Sequence, residues 1–260
     1  GRIFLRRLAS TLVLWAIVLT AIFSQNPVVA NYVFLLLMIL LAGAGLWEFY
    51  GLIEKRGLKC FKWWGLTAGV ALMASTHYYV THAQGHQLLA AKPNDFETGV
   101  LVLFVLGLCL RQLFDRHNLQ GFAGIATTLM GLMYVPWLLN FIQKINYMPG
   151  IDGRFYVLFL LIVTKFSDVG AYCVGSLFGR HKMIPRISPG KTWEGFAGAL
   201  LISTGASVTL SLVAGTRLKE LTLGHAVMIG LILSLGAVVG DLIESAFKRE
   251  AGVKDSGRLF

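Results

Sequence analysis

Runs of about 20 apolar residues recur along almost the whole chain, and a run of that length is what an α-helix needs to cross the hydrocarbon of a bilayer. They fall at 8–25, 31–53, 63–81, 98–114, 121–142, 155–178, 194–214 and 223–247. The pattern predicts an all-α fold, a polytopic transmembrane helix bundle of about eight spans. Composition agrees: 56% of the residues are hydrophobic and 14% charged, and the mean hydropathy is +0.68, outside the balance of a water-soluble domain. Arg2, Arg6 and Arg7 precede the first run, as basic residues do in a signal peptide. With further spans behind it and no small-residue cleavage site, that run reads as a retained helix.

The formal net charge of +10 does not point to nucleic acid, because the basic residues form short clusters between apolar runs and no stripe. With the N-terminus inside, the inner segments hold 17 Lys and Arg and the outer segments 5, with Lys165 inside a span. That asymmetry is the positive-inside pattern, so the basic side is the cytoplasmic one. Cys60, Cys109 and Cys173 form no CxxC pair, which leaves neither a disulfide framework nor a structural zinc site. No solenoid period or inverted repeat is visible. Residues 1–145 read as generic transmembrane helices, suited to packing or an oligomer interface. Residues 146–260 read as the catalytic region.

Chemistry-bearing residues concentrate in that second part. Lys165, Asp168, Tyr172, Gly175 and Gly179 are spaced by three or four residues and share one helical face. Gly230, Ser234, Ala237, Asp241, Ser245 and Lys248 repeat the geometry, with Glu244 one position aside. Two helices are thus expected to carry carboxylates near their cytoplasmic ends. An ionised carboxylate there costs several kcal/mol unless paired, which marks Asp168, Asp241 and Glu244 as functional candidates. Lys165 is spaced to pair with Asp168, whereas no internal lysine lies near Asp241 in sequence. Clustered carboxylates favour a hard cation such as Mg²⁺.

Between the sixth and seventh spans, residues 178–195 combine cations, hydroxyls and glycines. Arg186 can grip phosphate oxygens bidentately, Lys191 acts as a point charge, and Ser188 to Thr192 lead into a helix N-terminus whose free N–H groups favour anions. Ser188-Pro-Gly-Lys-Thr192 approaches a Walker A loop, but that motif needs glycine where Pro185 stands, and no preceding strand is expected. The P-loop reading is therefore rejected.

The segment Gly240-Asp-Leu-Ile-Glu-Ser-Ala-Phe-Lys-Arg-Glu-Ala-Gly-Val-Lys-Asp-Ser-Gly257 closely resembles the hallmark motif of phosphatidate cytidylyltransferases, also called CDP-diacylglycerol synthases. Ser245, Lys248, Arg249, Lys254 and Asp255 match its S-x-x-K-R-x(4)-K-D pattern in order. Ser167-Asp-Val-Gly-Ala-Tyr172 and Ser188-Pro-Gly-Lys-Thr-Trp-Glu-Gly195 look like two further blocks of the family. The resemblance covers residues 155–258. The family pattern runs on into H-G-G and D-R-x-D, so a ninth span and a further metal-binding aspartate are expected beyond Phe260.

The resemblance implies transfer of CMP from CTP to phosphatidate, giving CDP-diacylglycerol and pyrophosphate in phospholipid biosynthesis. It implies Mg²⁺ as cofactor and leaves a second cation open. Asp241 is then expected to bind metal, with Asp168 as a second ligand and Glu244 in the outer shell. Lys191, Ser188 and Thr192, with Arg186, are expected at the CTP phosphates, and Lys248 and Arg249 at the phosphatidate headgroup. Ser245, Lys254 and Asp255 are expected to organise the substrate loop. The implied setting is a bacterial inner membrane with the site facing the cytoplasm, a homodimer, and no nucleic-acid partner. A CTP-dependent polyprenol or lipid kinase and an ion-coupled transporter are the competing readings.

Overall fold

The computed structural model describes residues 26–83, 93–114, 121–218 and 220–253, together with Ala16, Leu19, Thr20 and Ser24. The expected first span and the motif residues Lys254 and Asp255 lie outside the described residues. The chain divides into two compact units, the first ending at Tyr147 and the second beginning at Met148.

In the first unit, α1 (Pro27–Lys55) starts where the Asn26 side chain accepts from the backbone N–H groups of Val28 and Val29 and Pro27 takes the first helical turn. It is followed by α2 (Lys62–Ala83), α3 (Pro93–Phe114), α4 (Gly121–Leu132) and α5 (Leu138–Asn146). A π-helical turn, Met133–Trp137, joins α4 to α5 and contains Pro136. Proline lacks the N–H and crowds the carbonyl four residues back, and the wider turn absorbs that conflict without ending the span. Tyr50 is fully buried, and its hydroxyl donates to the Thr128 carbonyl at 2.9 Å. Its ring lies where a Cβ on Gly65 or Gly131 would stand, which explains both glycines.

The second unit is α6 (Gly153–Phe178), the strands β1 (Lys182–Ile184) and β2 (Ser188–Thr192), α7 (Trp193–Ala214), a 3-10 turn (Gly215–Leu218) and α8 (Leu223–Glu250). Small residues let the three helices approach closely, as membrane helices do when packing rather than water drives association. A Cβ on Gly170 would stand 2.6 Å from the Gly198 carbonyl oxygen, and one on Gly198 2.4 Å from the Val174 Cβ. Buried serines complete the joint. Ser203 donates to the Val163 carbonyl at 3.1 Å, Ser207 to that of Ala226 at 2.6 Å, and the Ser167 and Ser234 hydroxyls meet at 2.9 Å. Large apolar side chains such as Leu201, Leu212 and Val213 point outward at 70–79% exposure. Hydroxyls inside and leucines outside suit lipid as the surrounding solvent.

Six helices among the described residues are long and apolar enough to cross a membrane, against the eight spans expected. The expected span at 63–81 is helical as α2, but this helix is more polar than the six and carries Thr67, Ser75, Thr76, His77 and Thr81. The fold is helical as expected, with one departure. Residues 182–192, read from sequence as a loop, form an antiparallel hairpin in which Lys182 pairs with Thr192 and Ile184 with Ser188, with an irregular register between them.

Candidate active site

The depth of each polar group follows from the helix register. Ser167 meets Ser234, while Ser203 bridges Val163 and Gly230, so α6 and α8 run parallel with the same offset at both contacts. Asp168 lies one residue beyond Ser167, whereas Asp241 lies seven beyond Ser234. At 1.5 Å per residue the two carboxylates differ in depth by about 9 Å. Each also sits well inside its helix, since α6 continues to Phe178 and α8 to Glu250. The expectation that both carboxylates sit near the helix ends is corrected: the helices continue about two and a half turns past them.

Asp168 is paired as its spacing suggested, with Lys165 Nζ at 3.4 Å from its Oδ2. Both side chains are exposed, at 67% for Lys165 and 61% for Asp168. Asp241 is paired as well, by a lysine distant in sequence. Lys191 reaches over from β2, with Nζ 2.8 Å from Asp241 Oδ2, and donates to the Val238 carbonyl at 3.2 Å. The lysine is largely covered and the carboxylate largely open, at 20% and 58% exposure.

The hairpin delivers Lys191. Pro185 and Arg186 occupy its turn, closed by the Ile187 N–H donating to the Ile184 carbonyl at 3.1 Å. At the tip, Arg249 Nε from the last turn of α8 donates to the Ile187 carbonyl at 3.2 Å. At the base, Trp193 N–H donates to the His181 carbonyl at 3.0 Å. Thr192 is buried and caps α7, accepting from the Gly195 N–H at 3.1 Å. It packs so closely on Gly179 that a Cβ there would meet its hydroxyl at 2.8 Å. Lys248 pairs with Glu244 one turn earlier at 2.5 Å. Ser188 and Ser245 are half-buried and Arg186 is exposed.

The structure thus brings together Lys191 and Asp241, and links Arg249 to the hairpin that carries Ser188 and Lys191. It keeps Asp168 at a different depth. A strand, β1, does precede the block 188–192, which corrects the expectation of none, and the block is itself a strand leading straight into a helix. It is not the loop between strand and helix that a Walker A motif requires. Sequence reasoning gave no role to Glu194, which holds the hairpin base, or to the Val238 and Ile187 carbonyls. The signal for Glu194 was its place just after a threonine cap.

As a metal site the arrangement is partial. Among the described residues no three His, Cys, Asp or Glu side chains converge. An open carboxylate such as Asp241 still fits Mg²⁺, which is commonly held by one or two carboxylates plus substrate phosphates and water.

Long apolar helices around a serine-lined interior, with a basic hairpin whose lysine meets a carboxylate of α8, define a multi-pass membrane protein. The chain belongs to the cytidylyltransferase family, whose profile matches residues 6–260. It is 41% identical over 126 residues to a phosphatidate cytidylyltransferase of Mycobacterium leprae, covering 48% of this chain and 38% of that protein. It is 38% identical over 166 residues to one of Staphylococcus saprophyticus, covering 64% and 61%. The chain therefore spans less than half the length of the mycobacterial relative.

Proposed function

We propose that the protein is a phosphatidate cytidylyltransferase, transferring CMP from CTP to phosphatidate. The observation that carries this reading is the meeting of Lys191 from β2 with Asp241 from α8, beside the Arg249 tie. It joins the central block of the resemblance to the last one. The similarity to phosphatidate cytidylyltransferases supports the same substrate class.

In the reaction, a phosphate oxygen of phosphatidate attacks the α-phosphorus of CTP in line. The new P–O bond forms as the bond to the β-phosphate bridging oxygen breaks, and pyrophosphate leaves. The nucleophile is already ionised, so no protein base is required. Lys191, Ser188 and Arg186 bind the triphosphate, with Thr192 fixing the helix start beneath them. Lys248 and Arg249 hold the lipid headgroup at the membrane surface, and Ser245, Lys254 and Asp255 order the substrate loop. Asp241, with Glu244 outside it, would hold Mg²⁺, which supplies positive charge against the developing phosphoryl oxyanions. Asp168 is the place for a second cation, at its own depth.

In this reading the site faces the cytoplasm from a bacterial inner membrane, where soluble CTP and the phosphatidate headgroup both reach it, and the charge bias of the basic segments supports that orientation. A homodimer is the proposed assembly. The test is CTP labelled at the α- or the γ-phosphate, given to the complete protein in phosphatidate-containing nanodiscs. The α-label is expected in the lipid. Entry of the γ-label instead overturns the reading in favour of a kinase.

A further inference from the structure

We infer that Glu194 is a positioning residue for CTP, clamping the base of the β1–β2 hairpin so that Lys191 is delivered to Asp241. This rests on the functional reading above. Glu194 stands in the first turn of α7, where an acidic side chain ordinarily answers the free N–H groups of its own helix. Here Thr192 shares that task. The Glu194 carboxylate stays beside its own backbone N–H and also reaches the chain leaving α6. It accepts from the Arg180 N–H at 3.1 Å, from the His181 N–H at 3.2 Å, and from His181 Nδ1 at 2.6 Å. The Trp193 N–H to His181 carbonyl bond runs in the opposite chain direction, so residues 180–181 and 193–194 are joined from both sides.

The hairpin needs such a clamp. Its strands have three and five residues with an irregular register, and a hairpin of that size is marginal without outside support. Arg249 holds the tip, and at the base Glu194 adds its bonds to the Trp193 N–H contact and the packing of Thr192 on Gly179. Lys191 lies three residues before Glu194 and next to the buried Thr192. With the base held, the lysine stem leaves a fixed backbone and its ammonium reaches Val238 and Asp241. With the base released, two N–H groups lose their acceptor and the lysine starts from a moving strand. Its bonds go to Arg180 and His181 and not to Lys191, so Glu194 acts through the hairpin.

The experiment compares the complete wild-type protein with Glu194→Ala and Glu194→Gln in nanodiscs. It reads amide hydrogen exchange over 179–192 and steady-state CMP transfer. Glu194→Ala is expected to speed exchange at the 180 and 181 amides by about tenfold or more. It is expected to raise the KM for CTP about tenfold while kcat changes less than about threefold. Glu194→Gln keeps an acceptor oxygen and is expected to restore both to within about threefold of wild type. That rescue separates positioning from general loss of folded protein.

Unchanged exchange in Glu194→Ala overturns the clamp. Faster exchange with an unchanged KM for CTP overturns the positioning role while leaving the enzyme reading intact. Failure of Glu194→Gln to recover also overturns it. A wild type that transfers no CMP brings down the functional reading, and this inference with it.

Discussion

Asp241 was legible as a functional candidate because a carboxylate at helical spacing from Ser234, Ala237 and Ser245 stands on a face that cannot point to lipid. Its partner was not legible. Lys191 comes from another element, and only the fold carries it within 2.8 Å. Replacing Asp241 with Asn keeps the shape and removes the charge, so CMP transfer is expected to fall by about 100-fold or more in folded protein. Near-wild-type transfer by a variant that elutes as wild type in size-exclusion chromatography would sink the assignment. Cys60 illustrates the opposite case, a residue whose burial makes it inert. Burial, aided by the nearby Glu54 carboxylate, raises its thiol to about 11. At pH 8 roughly one thiol in 10³ is then thiolate. In a chain with Cys109 and Cys173 changed to Ser, maleimide labelling of Cys60 is expected to be slow at pH 7–8 and to accelerate as pH approaches 11. Rapid labelling at pH 7 contradicts this.

Most of the elements could be read from apolar run length, and from residue 31 onward the described helices contain the expected stretches. The hairpin could not. Pro185 and Gly190 read as loop residues, and strands this short leave no alternation to detect. The tight α6–α7 contact depends on Gly170 and Gly198, and adding a side chain overpacks it. Gly198→Val is expected to destabilise the protein by about 1–3 kcal/mol, measurable as a lower midpoint of unfolding in detergent. The Ser167–Ser234 contact invites a double-mutant cycle. Either serine changed to Ala leaves a buried hydroxyl with one partner fewer. Changing both removes the unmet group, so the double variant is expected to cost less than the sum of the singles, with a coupling near 0.6 kcal/mol. Strict additivity would show that the two hydroxyls act independently.

At the scale of the molecule, the first unit proves more than generic helices. Glu97, 3% exposed, pairs with Lys144 at 2.6 Å and accepts from Asn140 at 2.7 Å, and Asn140 also donates to Thr76. These residues lie on α2, α3 and α5, and only Asn140 and Lys144 share a helix, so the partners could not be matched from sequence. Glu97→Gln removes the carboxylate charge from this buried pair, and a loss of about 1.5–3 kcal/mol is expected in the same unfolding assay. The orientation drawn from basic segments is checked by an impermeant thiol reagent on Pro189→Cys, in a chain whose own cysteines are changed to Ser. Labelling is expected in inverted vesicles and not in right-side-out ones. The Lys191–Asp241 pair also bears on how ligands arrive together. A nucleotide that draws the ammonium away leaves the carboxylate without a counter-charge, and a cation that takes the carboxylate frees the ammonium for phosphate. In the proposed roles, each ligand removes the obstacle to the other. By linkage, CTP and Mg²⁺ then tighten one another's binding by the same factor, whichever binds first.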